Sequence, residues 1–180
     1  MSTYIAFLRA VNLGKNRKLP MADARAWLSE AGLGDVETYI QTGNLRFTTP
    51  LRSRSKVERL VEDVLGERCG FDVPAMAFTA GELQQVYADA AALAPPIEDV
   101  ARQYVTFLKE APSAEVAAPI DGWDHDGEAA RVVGRAVHWW LSKASQDARI
   151  SNARIEKALG LIGTTRDLKV VTTLADRWGC

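Results

Sequence analysis

The chain has 180 residues, 47% hydrophobic and 25% charged, ordinary values for a globular protein and enough length for one large core or two small ones. No apolar run approaches the ~20 residues of a bilayer-spanning helix, and Met1 to Arg9 lacks the basic region, apolar segment and cleavage site of a secretory leader, so a cytoplasmic protein without a membrane role is expected. The net charge of −1 conceals a pattern: residues 1–60 carry 10 Lys and Arg against 5 Asp and Glu, residues 61–130 carry 3 against 14, and residues 131–180 carry 9 against 4, so two basic ends flank an acidic middle.

Thr3 to Arg9 is a compact, β-prone run ending where Asn12, Gly14 and Asn16 signal a loop. Pro20 suits a first helical turn, Ala24, Trp27, Leu28 and Ala31 repeat on one helical face, and Gly32 fits just past its end. Val36 to Ile40 and Leu45 to Phe47 flank Gln41-Thr42-Gly43-Asn44, whose Gly and Asn tolerate the positive φ of a hairpin turn. Ser55 and Glu58 have capping-box spacing, and Val57, Leu60, Val61, Val64 and Leu65 trace a second helix. Val73 to Phe78 reads as a strand, with Pro74 placing it near a strand start or a sheet edge. The resulting βαββαβ order predicts a ferredoxin-like unit over residues 1–80, an antiparallel sheet with both helices on one face.

Thr79 and Glu82 repeat the capping-box spacing before Leu83, Val86, Tyr87 and Ala90, and Pro95-Pro96 ends that helix, making residues 81–98 a connecting helix and linker. Gln103 to Leu108 is a further strand, a short helix fits between Ala111 and Ile120, and Glu128 to Gly134 and Ala136 to Leu141 form strands around Gly134-Arg135. Ile155 and Leu159 before Gly160 indicate a helix, and Val171, Leu174, Ala175 and Trp178 a last one. Residues 99–180 are thus expected to be a second ferredoxin-like unit, an incomplete copy lacking its closing strand, with a C-terminal helix. The fold class is α+β with tandem ferredoxin-like units and antiparallel sheets.

The runs Tyr4 to Gly14, Lys18-Leu19-Pro20-Met21 and Tyr39-Ile40-Gln41-Thr42-Gly43-Asn44, continued in Lys143, in Asn152 to Gly160 and in Thr164-Thr165-Arg166, resemble the DUF1697 family across essentially the whole chain. That resemblance implies a bacterial-type cytosolic protein of two ferredoxin-like units, with no established substrate, cofactor or reaction. After the Arg the family pattern favours Asn and Trp, where this chain has Asp167 and Leu168.

The densest candidate for chemistry is the loop carrying Arg9, Asn12, Gly14, Lys15, Arg17 and Lys18. Glycine permits close approach to the backbone, Asn12 offers donor and acceptor, and Arg9 can grip a phosphate or carboxylate through parallel hydrogen bonds. The GxxxxGK[ST] spacing of a phosphate-cradling nucleotide loop is absent. Gln41, Gly43 and Asn44 at the hairpin tip are second candidates. Thr164, Thr165 and Arg166, read as the entrance to the last helix and joined by Lys143, are third, because free N–H groups and the helix dipole favour an anion there. Turn and cap chemistry is the competing explanation at each.

His125 between Asp124 and Asp126 reads as a turn rather than a metal site, since adjacent residues cannot surround an ion. His138, before Trp139-Trp140, reads as a packed sheet histidine, and Cys69 and Cys180 as free thiols. No metal, cofactor or reaction class is indicated. The leading expectation is a small anionic or phosphorylated ligand in a basic cleft between the two units. The alternatives are a nucleic-acid-binding module, for which the RNP pattern is absent, and a protein-interaction or oligomerising unit. The oligomeric state is left open.

Overall fold

The computed structural model describes residues 1–142 and 148–180. The chain divides into two units, one of residues Met1–Leu83 with Asp176–Cys180 and one of Gln84–Ala175. It passes between them within α3 (Ala80–Ala92) and again within α6 (Leu168–Trp178).

In the first unit β1 (Ser2–Leu8), α1 (Met21–Glu30), β2 (Gly34–Tyr39), β3 (Asn44–Thr49), α2 (Arg54–Cys69) and β4 (Ala75–Thr79) follow the expected order. The sheet order is β2-β3-β1-β4 and every pairing is antiparallel. Tyr4, Ala6 and Leu8 on β1 pack with Met21, Ala24 and Leu28 of α1 and Val57, Val61 and Leu65 of α2. The alternate residues Ile5 and Phe7 are also fully buried, and Phe7 meets Phe78 of β4 edge-on at 5.9 Å. Burial on both faces explains why β1 reads as an unbroken apolar run rather than an alternating one. The C-terminal residues complete the outer end of this sheet: Trp178 Nε1 donates to Glu37 Oε2 at 3.2 Å, and the Arg177 guanidinium lies 5.2 Å from the Tyr39 ring centre.

β4 is an edge strand, as Pro74 suggested, and carboxylates occupy the N–H groups of alternate residues along it. Glu62 Oε1 accepts from Ala75 N (2.9 Å), Glu58 Oε1 from Ala77 N (2.9 Å) and Glu82 Oε2 from Thr79 N (2.7 Å). A covered edge of this kind cannot recruit another strand. The capping box expected at Ser55 and Glu58 is corrected by the same contact. α2 starts after Ser53 with no side-chain cap, and Glu58, 2% exposed, reaches across to β4 instead. At Thr79 and Glu82 the reciprocal box does form, Glu82 N donating to Thr79 Oγ1 at 3.2 Å.

The second unit contains β5 (Arg102–Leu108), a four-residue α4 (Ala114–Ala117), β6 (Asp124–His125), β7 (Glu128–Val133), β8 (Ala136–Leu141), α5 (Asn152–Leu159) and β9 (Gly163–Asp167). Its antiparallel sheet has the order β6-β7-β8-β5-β9. The expected absence of a closing strand is therefore corrected. Thr164, Thr165 and Arg166 lie in β9, not at a helix entrance, and α6 begins directly after at Leu168. The strand carries no apolar alternation because its buried residues are polar, so pairing with β5 rather than local composition forms it. Glu156 Oε1 accepts from Gly163 N at 2.9 Å, tying α5 to edge strand β9 as α2 is tied to β4.

His138 on β8 is fully buried, opposite Val105 on β5 and Arg131 on β7. Among the described residues neither ring nitrogen has a hydrogen-bond partner. Burial pushes its pKa down to about 4, opposed by the charge of Asp89. The imidazole is therefore neutral when folded, whereas the unfolded chain takes up a proton near the ordinary histidine value. Stability is fully present above about pH 6.5 and is lost as pH falls toward 4, by about 3 kcal/mol. Urea unfolding at pH 7 and pH 4.5 will show this loss, and His138→Leu will remove its histidine-dependent part.

Candidate functional site

The cationic loop joins β1 to α1. It leaves the sheet at Arg9, whose N–H donates to Pro74 O at 2.9 Å, and is closed by Asn12 N donating to Arg17 O at 2.7 Å. The Asn12 side chain then uses both of its polar ends. Nδ2 donates to Leu19 O (2.8 Å) and to Gln41 O (2.7 Å), and Oδ1 accepts from Leu19 N (2.8 Å). One amide thus fixes both ends of the loop and joins it to the hairpin tip. Asn12 adopts φ 55, a conformation that Asn tolerates better than most residues.

The hairpin tip is a structural counterpart to that loop. Gly43 O accepts from Leu8 N at 2.8 Å, and Gly43 has φ +82 with Leu8 Cβ only 2.7 Å and Val11 Cγ2 2.8 Å from where a Cβ would stand, so no other residue fits. Asn44 is fully buried and closes the turn through Nδ2 to Tyr39 O (3.0 Å) and Thr42 Oγ1 (2.9 Å). Gln41 Oε1 accepts from Met21 N at 3.3 Å, which serves the first turn of α1, where Pro20 has no cap of its own. Ala10 and Ile40 also hold positive φ, 55 and 49. Three non-glycine residues in left-handed backbone on two bonded loops mark a conformation that the surrounding contacts impose.

The remaining cations divide into two kinds. Arg17 is structural: Nε donates to Ala10 O at 2.6 Å, Nη2 donates to Asp72 O, and the guanidinium covers the Phe71 ring at 4.6 Å. Lys15, beside exposed Gly14 (φ +64), and Lys18 are solvent-exposed, and among the described residues neither has an ion-pair partner. Leu13 and Ile40 stand out beside them, 64% and 44% exposed.

The residues predicted near the C-terminus behave differently. Arg166 is 6% exposed; its Nη1 donates to Thr164 Oγ1 at 2.8 Å and to Thr165 O at 2.9 Å. Burial lowers its pKa to about 10, leaving it charged at neutral pH. Thr165 belongs to a hydrogen-bonded series in which Trp139 Nε1 meets Thr106 Oγ1 (3.0 Å), Thr106 meets Thr165 Oγ1 (2.7 Å), and Thr165 donates to Asn152 Oδ1 (2.9 Å). These groups bind one another across β8, β5, β9 and α5. Lys143 lies outside the described residues.

His125 is exposed in β6, its ring 4.7 Å from that of Trp123, and Asp126-Gly127 forms the turn to β7. Among the described residues no three His, Cys, Asp or Glu side chains gather to hold a metal. A cavity of about 200 Å³ beside this turn is lined by Glu128, whose carboxylate is already committed to Arg149 N, Ile150 N and Trp123 Nε1. Phe7, Phe47, Trp139 and Trp140 are all at most 6% exposed, so none of these four strand aromatics offers a surface on which a base could stack, and half-buried Tyr39 on β2 has the Arg177 guanidinium against its ring. No described helix is long and apolar enough to cross a membrane.

Fold and site together describe an α+β protein of two antiparallel sheets, one bearing a braced cationic loop. The family profile described as "Protein of unknown function (DUF1697)" matches residues 1–138, and the chain belongs to that family. The motifs at Asn152 to Gly160 and Thr164 to Arg166 lie beyond the matched residues. Among solved structures the chain is similar to the conserved bacterial protein SP0830 from Streptococcus pneumoniae, with TM-score 0.77 and 21% identity over 100% of this chain and 99% of that one. This likeness concerns the fold. No curated protein matches.

Removing the Asn12 side chain leaves Leu19 N, Leu19 O and Gln41 O without that partner. Asn12→Ala is therefore expected to cost about 2–4 kcal/mol in urea unfolding. Asn12→Gly, which relieves the positive φ but restores no hydrogen bond, is expected to recover only part of the loss. Full recovery by glycine would show that backbone conformation, not the amide, is what matters there.

Proposed function

We propose that the protein binds a small anionic or phosphorylated ligand and that the β1–α1 loop of the first unit is the recognition element. The observation that carries this reading is the division of labour within the loop. Asn12, Arg17, Gln41, Gly43 and Asn44 are absorbed in holding its shape, while Lys15 and Lys18 stand exposed on it with no ion-pair partner among the described residues. Because the backbone of the loop is already braced, the ordering cost of meeting an anion falls on the exposed lysine side chains alone. Arg9 at the base of the loop is the third cation in this reading, with Gly14 allowing the ligand to approach the backbone.

We also read both units as ferredoxin-like. In support, β2-β3-β1-β4 and β7-β8-β5-β9 are the same order in two sheets. The same two bonds recur at the ends of β1 and β5: Leu8 N to Gly43 O and Arg9 N to Pro74 O in one, Leu108 N to Arg135 O and Lys109 N to Ile162 O in the other. On that correspondence Glu110 follows Lys109 where the first unit begins its long basic loop. The ligand-binding loop is then a specialisation of the first copy.

The test is a thermal-shift screen of the full chain at low salt against sugar phosphates, nucleotides and inorganic phosphate. A ligand at about 100 times its Kd stabilises by roughly 2.7 kcal/mol, a rise in Tm of roughly 5–11 °C for a chain of this size. Lys15→Ala combined with Lys18→Ala, and separately Arg9→Ala, are expected to remove most of that rise. An unchanged shift in these variants would place the ligand elsewhere and overturn the reading.

A further inference from the structure

We propose that the second unit carries a separate groove for a phosphate monoester, formed where β9 ends and α6 begins. At this corner β5 outruns its neighbour: Tyr104 pairs with Asp167, the last residue of β9, whereas Arg102 and Gln103 pair only with β8. The chain turns at once into α6, leaving an open groove of about 540 Å³ lined by Val100, Arg102, Tyr104, Asp167, Lys169 and Thr172, a volume in the range of small-molecule sites.

The chemistry of the lining defines the ligand. Arg102 and Lys169 are both exposed, and two cations on one groove match a dianion better than a single carboxylate. Arg102 is oriented, since its Nη1 donates to Tyr104 Oη at 3.3 Å and the Tyr104 ring is stacked on Trp139 at 4.5 Å. The carboxylate of Asp167 also lines the groove, but it accepts from Lys169 N at 2.8 Å and caps α6, so the charged lining side chains keep a net positive charge. Val100, 39% exposed, and the half-buried Leu168 supply an apolar wall for a short organic body on the phosphate. Nothing in the sequence alone joins Arg102 to Lys169; the β5–β9 pairing does.

The experiment is an NMR titration of the ¹⁵N-labelled full chain with phenyl phosphate, inorganic phosphate and benzoate. Phenyl phosphate is expected to shift the amides of residues 100–104 and 167–172 and to bind more tightly than either other probe. Arg102→Ala and Lys169→Ala are each expected to raise Kd at least tenfold, and Lys56→Ala, on the exposed face of α2 and outside both regions, to leave it unchanged. If no probe moves those amides, or if both groove variants bind as the parent does, the proposal is overturned. Shifts confined to residues 9–18 would overturn it too while leaving the first-unit reading intact.

Discussion

The side-chain amide of Asn12 joins two loops that have no regular secondary structure to hold them. Leu19 is fully buried, so its backbone groups need partners within the protein, and Asn12 supplies one to each of them while also binding Gln41 O. The consequences spread outward from there. Gln41, once anchored, turns its own side chain to the start of α1, and Gly43 can lie against Leu8 and Val11 only because the two loops are held together. The exposed lysines therefore extend from a fixed backbone, and the proposed recognition of an anion depends on that fixity.

A second theme is the use of acidic side chains on sheet edges. Glu58, Glu62 and Glu82 take N–H groups of β4, and Glu156 takes one of β9. In each unit a glutamate of the second helix reaches the following edge strand, so helix packing and edge protection are the same interaction. Hydrogen bonds to charged groups are stronger than neutral ones, and Glu58 is buried at 2% exposure, which makes this tie part of the core. Part of the acidic excess of the middle segment is accounted for in this way rather than by solvation.

The first unit was readable from sequence because its strands and helices each carry a local signal: apolar run, helical face, Gly-Asn turn. The capping box at Thr79 and Glu82 formed as its spacing implies, whereas the identical signal at Ser55 and Glu58 did not, since a buried strand edge offered the carboxylate a stronger claim. β9 was illegible for the converse reason. Its side chains are Thr, Arg and Asp rather than alternating apolar residues, and Thr165 at its centre is held by Asn152 and Thr106, 13 and 59 positions away, partners that no local window of sequence contains. The candidate site divides along similar lines. The basic loop was visible as composition, but which of its polar residues are structural and which stand exposed follows only from long-range hydrogen bonds such as Asn12 to Gln41.

Two chemically distinct regions thus emerge on a chain of one family: a braced basic loop in the first unit and a groove at a strand end in the second. The braced loop is the claim on which the functional account rests, and native-state hydrogen exchange of the Leu19 amide tests it most directly. The account predicts that this N–H, bonded to Asn12 Oδ1 and buried, exchanges only as slowly as the amides of β1, through opening of the whole unit. Exchange at the rate of an open loop, while β1 stays protected, would contradict it.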